Sequence, residues 1–137
     1  MPLNLIKLCV GCDTVEALID WRKGQARPGA PWILRTRQTP KRAAELVAGG
    51  GLYRVFKGFI LSRQAILAVD TIGAGPGRRC EITLSETVQL TVPTPRRPFQ
   101  GWRYLSEDDA PPTLEGNGEA VDLPGDLARR LREFGVV

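Results

Sequence analysis

The residues of this chain best equipped for chemistry are cations with aromatic neighbours. Lys41, Arg42, Arg54, Lys57, Arg63, Arg96, Arg97 and Arg103 come from several separate stretches. Tyr53, Trp102 and Tyr104 lie among them, with the amides Gln64 and Gln100. Guanidinium and ammonium groups neutralise phosphates while aromatic rings stack on bases, so this mixture suits RNA or another polyanion, or a nucleotide-like anion. The charge is unevenly placed. Residues 35–63 carry seven basic side chains, Arg35 and Arg37 among them, against Glu45 alone; residues 106–137 carry eight acids against three arginines. A basic middle followed by an acidic tail points to an anion-binding surface, or to a tail that folds back over one. The competing reading is a solvated charged face.

Other chemistry is thin. The chain has no histidine, which removes the commonest general base and zinc ligand and excludes a Ser-His-Asp or Cys-His site within one chain. Cys9 and Cys12 form a Cys-x-x-Cys at the end of an apolar run and before a helical pattern, where a thioredoxin-like pair would sit. An acid at Asp13, however, raises the pKa of the thiol beside it, and Cys80 brings the zinc ligands only to three. The cysteines therefore read as small apolar residues, and no catalytic residue, metal or cofactor is assigned. Gly49-Gly50-Gly51 and Gly73–Gly77 each precede a strand, whereas a phosphate loop follows one and opens a helix; both read as turns. Glu107, Asp108 and Asp109 read as a solvated acidic loop.

A chain of 137 residues is one domain by length and long enough to bury a core. Three cysteines are too few for a disulfide scaffold and point to the cytoplasm. No apolar run approaches the roughly 20 residues of a membrane span, so no membrane partner is expected. Leu3–Val10 is apolar at nearly every position and predicts a buried strand. Asp13 with Glu16 resembles a capping box for a helix that stops at Gly24. Trp21 and Trp32 are assigned to the core. Trp32–Arg37 alternates as a short strand bearing arginines on one face.

Thr39-Pro40 predicts a second helix start, Thr39 as cap and Pro40 in the first turn. Lys41 and Arg42 then oppose the helix dipole, which would suit a phosphate there. Leu52–Lys57 and Phe59–Ile72 are strand patterns separated by Gly58, read as a bulge or a close backbone approach. The runs around Cys80–Leu84 and Val88–Val92 fit an antiparallel hairpin. Pro93–Pro98 is an extended arm. Residues 106–121 are acidic and rich in proline and glycine, a linker. Residues 122–137 then form a C-terminal helix that docks on the domain of residues 1–105. The fold class is α+β: a small mixed or antiparallel sheet with two N-terminal helices and one C-terminal helix, with a PUA-like pseudobarrel as one form of it.

At Thr39-Pro40-Lys41-Arg42, Leu52-Tyr53-Arg54-Val55-Phe56-Lys57-Gly58, Arg63-Gln64 and Phe99–Leu105 the sequence resembles a family of small bacterial proteins, domain of unknown function 1489. Leu5-Ile6-Lys7-Leu8 and Gly11-Cys12-Asp13 match as well. Arg54 stands where that family usually has a second aromatic, and Cys9 is atypical of it. The resemblance implies no catalytic residues. A looser similarity, a helix followed by Lys-Gly between strands, is to PUA-like domains including the activating-signal-cointegrator-homology group, which implies RNA binding. Two alternatives stand beside polyanion binding: an enzyme acting on a small anion in a pocket of Arg63, Gln64 and Tyr53, and a protein-interaction module.

Overall fold

The computed structural model describes residues 3–25 and 30–114. The chain forms β1 (Leu3–Leu8), α1 (Val15–Gln25), β2 (Trp32–Thr36), α2 (Ala43–Val47), β3 (Gly51–Phe56), β4 (Phe59–Ile72), β5 (Arg79–Leu84), β6 (Gln89–Pro95) and β7 (Trp102–Ser106), with 3-10 turns at Gly75–Gly77 and Glu107–Asp109. This is α+β, with seven strands in one mixed sheet. The C-terminal helix expected over residues 122–137 lies outside the described residues. No helix among the described residues is long and apolar enough to cross a membrane.

β4 is the strand on which the sheet turns. Its first part pairs antiparallel with β3, from Phe56↔Phe59 to Gly51↔Ala65. The same residues pair with β6, Phe59↔Pro95 through Arg63↔Gln89. Its second part, Ile66–Ile72, pairs with β5. β5 and β6 thus follow one another along β4, and the hairpin expected between them is replaced by two successive pairings with one long partner. β2 adds antiparallel to β5. On the other side β1 joins β3 in parallel, and β7 joins β1 antiparallel.

Gly58 is not a bulge. Lys57 and Gly58 both have positive φ, 48° and 88°, and they link directly paired residues. That is the two-residue turn whose twist matches a hairpin. The irregularity falls instead at Leu61, between the pairs Arg54↔Ser62 and Val55↔Ile60.

After β7 the chain returns to the outer edge of β6. Val92 N–H donates to the Pro112 carbonyl at 2.9 Å and Leu114 N–H to the Leu90 carbonyl at 2.8 Å. At about 3.5 Å per residue, the step from Ser106 to Pro112 reaches about 21 Å fully stretched. Five flat strand spacings of about 4.8 Å would require about 24 Å. The open sheet is therefore curled, drawing its two ends together.

The helices depart from their sequence signals. Thr14, not Asp13, caps α1, its hydroxyl accepting from Ala17 N–H at 3.0 Å, and the helix runs through Gly24 to Gln25. α2 begins at Ala43 and is five residues long. Thr39 is not its cap: its hydroxyl lies 2.7 Å from that of Thr71. Lys41 and Arg42 consequently precede the helix, and one turn is too short to offer a dipole-based anion site.

Both faces of the sheet centre are covered. One holds Leu5, Val15, Leu18, Trp32, Leu46, Leu52, Phe56, Ile82 and Leu84; the other holds Ile6, Tyr53, Val55, Ile60 and Leu105. Every residue of β3 is buried. Trp32 belongs to the core as expected, whereas Trp21 is half exposed.

Candidate functional site

The antiparallel register sets Trp102 opposite Lys7 and Tyr104 opposite Leu5. Alternate residues of a strand share a face, so both rings project on the same side of β7. The end of β2, the loop before α2 and the far end of β4 meet them there. The result is a groove of about 700 Å³ lined by Arg37, Gln38, Lys41, Arg78, Trp102 and Tyr104, among others. Its walls are pinned by polar contacts. Trp102 Nε1 donates to the Gln38 carbonyl at 3.3 Å, and the Arg42 backbone N–H donates to the Tyr104 hydroxyl at 3.1 Å. The two rings meet edge to face at 5.1 Å.

Arg37, Lys41 and Arg78 are exposed, and no carboxylate lines the groove among the described residues. Arg42 lies at its flank with its guanidinium 5.7 Å from the Tyr104 ring. It is neutralised by Glu45, which accepts from Arg42 Nε at 2.5 Å and Nη2 at 2.6 Å. That bond holds the Glu45 carboxyl below the ordinary range. The groove therefore gathers Lys41, Trp102 and Tyr104 from the residues singled out in the sequence, with Arg42 beside them. Arg37 comes from the same basic window. Arg78 was not singled out; the Arg78-Arg79 pair after a glycine turn was the signal that could have found it.

The remaining residues are dispersed. Arg96 and Arg103 pack on Phe99 at 5.7 and 5.2 Å, with Arg97 and Gln100 exposed in the same connection. Arg103 pairs opposite Ile6 and so projects away from Trp102 and Tyr104. Lys57, at the hairpin tip, pairs with Asp13 at 3.7 Å across an exposed surface. Arg63 Nη1 donates to Gln89 Oε1 at 2.7 Å and Nη2 to the Gly49 carbonyl at 3.2 Å. It shares a cavity of about 320 Å³ with Tyr53 and Glu107.

Three residues assigned to a basic surface are internal. Gln64 is fully buried and donates to the Ser85 carbonyl at 3.0 Å. It is absent from the Arg63–Tyr53 cavity expected to contain it. Tyr53 is core, and burial raises its phenol pKa. Arg54 is 8 % exposed, because on a central strand covered on both faces even a charged residue points into the protein.

Arg54 opens into another cavity, of about 310 Å³, between the end of β1, α1 and β2; Lys7, Cys9, Cys12, Trp21 and Trp32 help line it. The guanidinium lies 5.5 Å from the centre of the Trp32 ring, and its Nε has no hydrogen-bond partner among the described residues. Desolvation pushes the Cys9 thiol up to about 11, with the nearby Arg54 guanidinium opposing the shift. This is the reverse of the low-pKa thiolate of an attacking cysteine.

Iodoacetamide labelling of Cys9, in a Cys12→Ser/Cys80→Ser background, should therefore be slow at neutral pH and climb as pH rises toward 11. A labelling rate that levels off below pH 9 would contradict it. A thiol with a raised folded-state pKa contributes stability that is fully present below its ordinary value of 9.0 and is lost as pH rises toward about 11.

A family model described as "Protein of unknown function (DUF1489)" matches residues 5–137. No curated protein and no solved structure matches the chain.

Proposed function

The chain belongs to the DUF1489 family, and we propose that it binds single-stranded RNA or a similar polyanion along the groove between β7, the loop before α2 and the end of β4. One observation carries this reading: Arg37, Lys41 and Arg78 line one groove with Trp102 and Tyr104, and no acid lines it among the described residues. Cations placed along a groove track a phosphate backbone, and ring edges and faces between them receive bases. The curled mixed sheet is the ground for reading the fold as a PUA-like pseudobarrel, a group to which RNA binding is common.

The test is fluorescence anisotropy of labelled single-stranded RNA across a salt series. Each phosphate neutralised on a single strand contributes about 0.7 to the slope of log K against log salt. Lys41→Ala/Arg78→Ala should therefore flatten that slope by about 1.4 and weaken binding at every sequence tried. Absence of binding at low salt, or an unchanged slope in the double variant, would refute the assignment.

A further inference from the structure

We propose that the cavity at Arg54 is a binding site for a small organic monocarboxylate with an apolar body, an aryl or alkyl acid. The site shares no lining residue with the groove, and the inference stands whether or not that groove binds RNA.

The argument starts from an unbalanced charge. Arg54 is buried on β3, and arginine remains protonated in proteins. Among the described residues its Nε is unpartnered and no carboxylate lines the cavity, while Lys7 adds a second cation. Lys7 and Arg54 are register partners on β1 and β3, so they project from the same face. A buried guanidinium without an anion is costly, and the planar guanidinium fork suits a carboxylate.

The walls define the rest of the ligand. Leu8, Val10, Leu18, Trp21, Trp32 and Leu34 surround the two cations. Val10 is 80 % and Trp21 51 % exposed, so large apolar surfaces stand at this cavity without a cover among the described residues. An apolar wall around one convergent charged group is the common form of a small-molecule site, and about 310 Å³ is at the small end of that range. Burial raises the Cys9 thiol pKa, so that thiol brings no negative charge to Arg54 at neutral pH.

The experiment titrates the full chain with phenylacetate and octanoate, and with phenylacetamide as the neutral isostere of the first, reading tryptophan fluorescence and confirming by calorimetry. Saturable binding of at least one acid is expected, with phenylacetamide at least about tenfold weaker than phenylacetate. Arg54→Met should abolish acid binding, Arg54→Lys should weaken it because the fork is lost, and Lys41→Ala/Arg78→Ala should leave it intact. Failure of both acids to bind at millimolar concentration, equal affinity for acid and amide, or wild-type affinity in Arg54→Met would each overturn the site. Tighter binding of phenyl phosphate than of phenylacetate would overturn the carboxylate assignment. The acid–amide comparison uses the unaltered protein, so it holds even if the variants fold poorly.

Discussion

Replacing Gly50 with alanine is expected to cost on the order of 3 kcal/mol of stability or more, enough to leave a large unfolded fraction. A Cβ at this position would collide with the carbonyl oxygen of Leu3 and lie 2.5 Å from that of Leu46. Both are backbone atoms, and neither can step aside alone. The Leu46 carbonyl already accepts the Gly50 N–H at 2.9 Å, and the Gly50 carbonyl accepts from Ile66 N–H at 3.0 Å. Gly50 therefore brings α2, β1 and β4 together by direct backbone contact. Gly51→Ala is the control. There the added carbon meets the Arg63 side chain, which can swing away from Gln89 and Gly49 at a cost of about 1 kcal/mol. Urea denaturation of both variants measures the difference; equal loss in the two would refute the close-approach account.

Arg54→Met should have the opposite sign, raising the stability of the ligand-free protein by about 1–4 kcal/mol. Methionine keeps much of the arginine stem's volume and packs against Trp32, while the desolvated charge disappears. Burial already lowers the Arg54 pKa, the signature of a largely desolvated cation. Arg54→Ala should lose stability instead, because it removes the charge and leaves a void. A gain for methionine coupled to loss of carboxylate binding would identify Arg54 as a residue that weakens the fold and serves the site. Denaturant midpoints for the three proteins decide it, and a methionine variant less stable than wild type would show that Arg54 is compensated internally.

Much of the sheet is legible in the residue pattern because the strands alternate or run apolar over the lengths strands prefer. Leu3–Leu8, Leu52–Phe56 and Cys80–Leu84 are examples. Arg54 also obeys its period. It shares a strand face with Leu52 and Phe56, which pointed inward, but its charge suggested a surface position. What sequence could not display were partners distant along the chain. Thr39 looks like a helix cap until Thr71 takes its hydroxyl. Ser85-Glu86 looks like a turn between paired strands until β4 proves long enough to pair with both flanking segments. The groove was legible in Trp102, Tyr104 and Lys41. Arg78 is a residue of the glycine-rich turn, and only the pairing of β5 with β4 carries it there.

The pairing of β1 has a consequence for synthesis. Leu3–Leu8 leaves the ribosome well before the strands it pairs with, Gly51–Phe56 and Trp102–Ser106. Residues 51–95, by contrast, contain β3, β4, β5 and β6, which pair among themselves, and local pairings form before distant ones because shorter loops close at lower entropy. The nascent chain thus emerges with an apolar strand unpaired, an open edge of the kind that invites intermolecular pairing. One side of that edge stays exposed until β7, the last described strand, arrives to cover it.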